Sequence, residues 1–125
     1  EGYVAYKGLI VEPPVVDLGK IPPSIQSLKV RLINQSNYPL RVLSVIQSCD
    51  CTAARVTTDP VKPSGELDLL IKWDSTGTKG PSKSVVDVVY EYITTGLETK
   101  KAEELKGKYS IRVLVKADIQ ETNES

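Results

Sequence analysis

From Glu66 to Trp73 the sequence reads ELDLLIKW, and Leu67, Leu69, Ile71 and Trp73 fall on alternate positions with Asp68 and Lys72 between them. Side chains of an extended chain project to opposite faces with period two, so this spacing buries one face of a strand and leaves the other in water. The rhythm returns in Gln26–Ile33, where Leu28, Val30 and Leu32 oppose Lys29 and Arg31. It returns again in Val85–Ile93, with Val86, Val88, Tyr90 and Tyr92 opposite Asp87 and Glu91. In Tyr109–Ile119 the row Ile111, Val113, Val115, Ala117 and Ile119 opposes Arg112, Lys116 and Asp118. A chain carrying four such segments is built from half-buried strands.

The remaining stretches fit between them. Leu40–Gln47 alternates with a slip from Leu40 and Val42 to Leu43 and Val45, as a β-bulge would produce. The segment LIVEPPVVDL, Leu9–Leu18, reads as one extended edge strand, because Pro13 and Pro14 lack the backbone donors of a central strand. TAARV, after the cysteines, is a short extended piece. GKIPPS, NQSNYP, TTDPVKPSGE and DSTGTKGPSK are dense in the residues that reverse a chain. The connection 94–108 is charged and breaks the rhythm; Leu97, Ala102 and Leu105 would support one or two helical turns in what reads as a solvated link. Val, Leu and Ile dominate the apolar residues, while Phe and Met are absent, which favours strands over helices. Trp73, Tyr90 and Tyr92 read as core. The count is about seven short strands in a single domain, 1–125, and the fold class is all-β, an antiparallel immunoglobulin-like β-sandwich.

Several function classes are disfavoured. Sixteen basic residues balance sixteen acidic ones in an interspersed order, so no net field gathers nucleic acid or an anionic membrane surface. Without histidine the chain lacks the commonest general base and the commonest transition-metal ligand, and no Ser-His or Cys-His pair can form within it. Asp17, Asp59, Asp68 and Asp74 are scattered over turns and solvent faces and suggest no catalytic dyad. STGTKGPSKS has the wrong spacing for a phosphate-binding loop and is followed by a strand. Asn34-Gln35-Ser36 and Asn123-Glu124-Ser125 are formal glycosylation sequons. No apolar run approaches the roughly 18 residues of a membrane span. A start at Glu1 without Met is expected of a processed or trimmed chain, with any signal peptide or lipid anchor lying upstream. The expectation is a protein that is not an enzyme, needs no cofactor and does not insert in a membrane.

The only cysteines, Cys49 and Cys51, stand in SVIQSCDCTAARV. In an extended chain both thiols face one side, and a bond between them needs a local turn at Asp50. Three readings stay open. The pair can be small apolar residues at a strand end. It can be a redox or disulfide site, with Arg55 as a nearby thiolate stabiliser. It can also be a weak Cu(I) site; zinc would need further ligands from carboxylates or a second subunit.

The pieces VDLGKI, LINQSN, YPLRVLSV, SCDCT and DPVKPSGE resemble, in order, motifs of the bacterial domain of unknown function 1573, over roughly Val15–Trp73. SCDCT is the most specific of them. Asp50 stands where the family usually has Gly, and Pro63-Ser64-Gly65 is one residue longer than the family's Pro-Gly turn. The resemblance extends to sandwiches of the ASH, major sperm protein and PapD-like type. It implies a binding or scaffolding module, extracytoplasmic and in some members lipid-anchored, with no catalytic residue to carry over. The expected partner is another protein, met by strand addition at an exposed edge, with the first and last strands as the likeliest edges. The alternative is a thiol redox or Cu(I)-handling protein acting through Cys49 and Cys51.

Overall fold

The alternating rows of the sequence become the two inner faces of a sandwich. Residues 8–121, the part of the chain described by the computed structural model, form eight strands and one short helix. These are β1 Leu9–Glu12, β2 Val15–Ile21, β3 Ile25–Asn34, β4 Leu40–Gln47, β5 Thr52–Arg55, β6 Glu66–Asp74, β7 Gly80–Tyr92, α1 Thr99–Leu105 and β8 Tyr109–Ile119. One sheet runs β1-β3-β6-β5 and the other β2-β8-β7-β4. Val30, Leu32, Leu69, Ile71 and Trp73 of the first sheet meet Leu40, Val42, Val86, Val88, Val113, Val115 and Ile119 of the second, all with at most 2% of their surface exposed. These are the residues that the period-two pattern turns inward. The bulge in β4 is present: Val42 pairs with Tyr90 but Ser44 with Val89, which leaves Leu43 as the extra residue.

Three expectations are corrected. Leu9–Leu18 is not one strand. β1 pairs with β3 as far as Glu12↔Arg31, and the chain then crosses at Pro13-Pro14 into the other sheet, where β2 runs parallel to β8. Proline cannot donate to a ladder, so the β1 pairing ends there, while the Pro14 carbonyl accepts from the Leu114 amide at 2.9 Å. The strand count is therefore eight, with one parallel pair. The last strand is not an edge, since β8 lies between β2 and β7. Nor is the segment after Asp74 a loop as far as Lys83: β7 begins at Gly80 and pairs with Ile119.

The 94–108 connection is more anchored than its charge suggested. Leu105 of α1 is buried in the core cluster, and the Tyr109 hydroxyl donates to the Leu105 carbonyl at 3.2 Å. Tyr90, Tyr92 and Tyr109 pack beside it with ring centroids 5.2–6.1 Å apart. Burial pushes the Tyr90 phenol above its ordinary range, and its hydroxyl accepts from the Leu9 amide.

Ser64 is the non-glycine residue with positive φ, 70°, among those described. Asp50, at the family's glycine position, does not share that conformation, so the Gly-to-Asp difference costs the turn nothing in backbone strain. The extra residue of the Pro63-Ser64-Gly65 turn carries the strain instead, with its amide donating to the Asn34 carbonyl at 2.8 Å. Ser64→Gly is expected to raise stability by about 0.5 kcal/mol, the relief of left-handed strain being partly offset by the freer unfolded chain. A urea titration at constant slope checks this.

Candidate functional site

The cysteines occupy a corner where the chain leaves one sheet for the other. β4 is the edge of its sheet and β5 the edge of the opposite one, and Ser48–Cys51 joins them in a tight turn. The turn is pinned on both sides. The Ser48 amide donates to the Val85 carbonyl at 2.9 Å, the Val85 amide donates to Ser48 Oγ at 3.0 Å, and the Asp74 amide donates to the Cys51 carbonyl at 2.8 Å. Gln47 Nε2 reaches across the turn to the Thr52 carbonyl at 3.2 Å.

This turn brings the two α-carbons to 5.2 Å, and Cys49 and Cys51 are joined as a disulfide. An extended tripeptide would have held them near the upper limit for such a bond; the reversal through Asp50 removes that obstacle. Cys51 packs against the core and the Cys49 sulfur accepts from the Cys51 amide at 3.2 Å. In this form neither sulfur is a thiolate, so holding Cu(I) would require the ring to open first. Among the described residues, no cluster of three or more Cys, Asp or Glu side chains is gathered as a metal site. Arg55 lies at the far end of β5, about 10 Å along the strand from Thr52, and makes no ion pair with another described residue.

Two residues that sequence reasoning did not single out complete the corner. Thr52 is 3% exposed and Ser84 is fully buried; their hydroxyls hydrogen-bond to each other across the sandwich, from β5 to β7. Thr52 Oγ1 also lies 3.6 Å from the Cys51 sulfur and 3.9 Å from that of Cys49. The available signal was a polar residue in an apolar row: Ser84 shares the inward register of Val86, Val88 and Tyr90.

Other polar side chains weighed in the sequence make their bonds away from this corner. Asp74 bonds to the amide and hydroxyl of Thr76, and these hold its carboxyl below the usual range. Asp17 of β2 faces Lys116 of neighbouring β8 at 4.0 Å, both in the sheet β2-β8-β7-β4. Asn34 is completely buried and its Nδ2 donates to the carbonyls of Tyr38 and Val61, both at 2.9 Å, so the first sequon offers no accessible amide. The sequon at 123–125 lies outside the described residues. No described helix is long and apolar enough to cross a membrane.

The outer face beside β5 is open. Ser27, Lys29, Ala53, Arg55, Leu70 and Lys72 line a depression of about 480 Å³, and Leu70 keeps 45% of its surface exposed. Lys29, Arg55 and Lys72 have no ion-pair partner among the described residues, whereas Arg31 one row away is held by Glu12 and Glu66. A larger groove of about 620 Å³ over β2, β8 and β7 mixes Lys20, Lys83 and Lys116 with Asp17 and Asp118.

Residues 9–109 match the family described as "Protein of unknown function (DUF1573)". None of the curated protein sequences matches the chain. Among solved structures, the ASH/PapD-like domain 7 of human CEP192 superposes with a TM-score of 0.68 at 8% identity, covering 98% of this chain and 92% of that one. SSP-19, an MSP-domain protein like family member in Caenorhabditis elegans, gives 0.60 at 15% identity, covering 86% and 96%. A protein of unknown function from Porphyromonas gingivalis W83 gives 0.64 at 18% identity over 90% of this chain and 46% of that one. At these identities the likeness is one of fold.

Proposed function

The chain belongs to the family described as Protein of unknown function (DUF1573), and from that premise we propose that it is a non-enzymatic, extracytoplasmic module to which another protein adds a strand at the β5 edge. The carrying observation is the combination found there. Among the described residues β5 pairs with β6 alone, so one side of its backbone faces no described strand, and the adjoining outer face presents Leu70 among three cations without a described ion-pair partner. The other edges are less suited. β1 is four residues long and stops at Glu12, before Pro13-Pro14, β2 is irregular between Asp17 and Lys20, and β4 is already bridged at Leu40 by Val61. A disulfide at Cys49–Cys51 supports an oxidising compartment.

A photo-crosslinking amino acid at Ala53 in the native source is expected to capture one discrete partner, and the same probe at exposed Lys62 is not. Leu70→Asp should abolish the adduct and leave the melting temperature within a few degrees, because the side chain is already half in water. An adduct that survives Leu70→Asp would remove β5 from the binding surface.

A second reading, thiol-disulfide exchange, is favoured by the disulfide itself. A ring closed over two residues restrains the unfolded chain little, so it contributes little as a staple, and both cysteines are only partly buried.

A further inference from the structure

The hydroxyls of Ser84 and Thr52 form a chain with a direction, and the direction follows from counting hydrogens. Each hydroxyl has one hydrogen to donate. Ser84 is fully buried, and among the described residues its Oγ hydrogen-bonds to Thr52 Oγ1 alone. If Thr52 donated to Ser84, the Ser84 hydrogen would be buried without an acceptor, an arrangement native interiors avoid. If Ser84 donates to Thr52, the Thr52 hydrogen goes to a sulfur and every donor is used. A disulfide sulfur has no hydrogen, so at the 3.6 Å contact with Cys51 the hydroxyl is the donor. The Cys49 sulfur has a different donor, the Cys51 amide at 3.2 Å.

We propose that this buried Ser84-to-Thr52 relay makes Cys51 the leaving group and Cys49 the attacked sulfur when the corner disulfide exchanges with a small thiol. The inference rests on the thiol-exchange reading above and adds to it a polarity and two positioning residues. Both cysteines are partly buried, but Cys51 is packed against the core cluster, which shields its sulfur on that side and directs the incoming thiolate to Cys49. An incoming thiolate gives its electron pair to the Cys49 sulfur as the Cys49–Cys51 bond breaks. That bond's pair moves to Cys51, whose thiolate accepts the hydrogen bond of Thr52. A second thiolate then attacks the outer sulfur of the mixed disulfide and releases Cys49 as a thiolate. The sum is two thiols oxidised to one disulfide while the protein disulfide becomes a dithiol. A hydrogen bond to the thiolate lowers the thiol's pKa and makes it the better leaving group. The threonine of SCDCT thereby acquires a chemical role, and Ser84, 32 residues further on, supports it.

The test uses the full chain reduced with dithiothreitol, with iodoacetamide alkylation of each cysteine followed against pH by peptide mass. Thr52→Val should move the Cys51 midpoint to roughly one pH higher, while Thr52→Ser keeps it near the wild-type value. Ser84→Ala should move it upward by less, because Thr52 still donates but is no longer polarised by Ser84. Glutathione added to the native disulfide should be found first on Cys49. The opposite hydrogen orientation predicts the opposite sign for Ser84→Ala, since removing the acceptor would turn the Thr52 hydrogen towards sulfur; a downward shift there overturns the relay. So does an unchanged midpoint in folded Thr52→Val, or glutathione found first on Cys51. A disulfide that dithiothreitol opens only after global unfolding would defeat the exchange reading itself and the relay with it, a result distinct from ready reduction without a shift.

Discussion

Trp73→Ala should lower the unfolding free energy by about 3–5 kcal/mol, the range for truncating a large buried aromatic. Trp73 is 2% exposed on β6, paired on one side with Gln26 of β3 and on the other with Thr52 of β5. Its removal opens a cavity beneath the strand that carries the corner, and rigid flanking ladders limit how far the walls can close. A domain of this size typically holds roughly 5–15 kcal/mol in all, so the variant should sit near the edge of folding. Urea denaturation followed by far-ultraviolet circular dichroism measures it, because the chain's one Trp is the fluorophore being deleted. Ile46→Ala, at a residue 55% exposed, should cost less than about 1 kcal/mol in the same assay. Equal losses at the two sites would mean that the sandwich interior is not the source of the stability.

Asn34→Asp should cost about 3 kcal/mol at pH 7 and distinctly less near pH 3.5. Asn34 closes β3 as a four-bond hub: Nδ2 donates to the Tyr38 and Val61 carbonyls, and Oδ1 accepts from the amide and hydroxyl of Ser36. The aspartate keeps the accepting oxygen but turns the other one, bearing charge, towards two carbonyls in a fully buried site. Burial and the facing carbonyls raise its folded-state pKa above the unfolded value of roughly 3.9, an effect the Ser36 donors reduce but do not reverse. A group with a raised folded pKa favours the native state below the unfolded pKa and loses that contribution as pH rises through the folded one. The difference between variant and wild type should therefore widen from about pH 4 upward. Paired denaturation curves at pH 3.5, 5 and 7 follow it, and a difference that stays flat with pH would show that the carboxylate reaches water.

The inner faces were legible because β3, β6, β7 and β8 alternate without interruption, and the β4 bulge was legible as a slip in the same rhythm. Periodicity assigns a side chain to a face but says nothing about which strand lies alongside. For that reason β8 could be taken for an edge although β2 covers it. Pro13 and Pro14 were read as the mark of an edge strand; their actual effect is to stop one ladder so that the chain can join another. At the corner the cysteines announce themselves by composition. Thr52 and Ser84 do not, since common hydroxyl residues gain meaning only when two sheets stack. Asn34, Thr52 and Ser84 nonetheless share one trace in the sequence: each is a polar residue at an inward position, and each is wholly or almost wholly buried.

The parallel pairing of β2 with β8 also has a mechanical consequence. Val15 lies opposite Leu114 and Ile21 opposite Ile119, so both strands run in the same direction from one end of the sandwich to the other. If the chain is held ahead of β2 and pulled beyond β8, the two strands are drawn in opposite senses along their common axis. Their ladder then bears the load in shear, many hydrogen bonds at once, where an antiparallel hairpin pulled from its open end would unzip one bond at a time. A pull applied ahead of β1 meets the β1–β3 ladder first, and only when that ladder has parted does the load pass to the β2–β8 clasp.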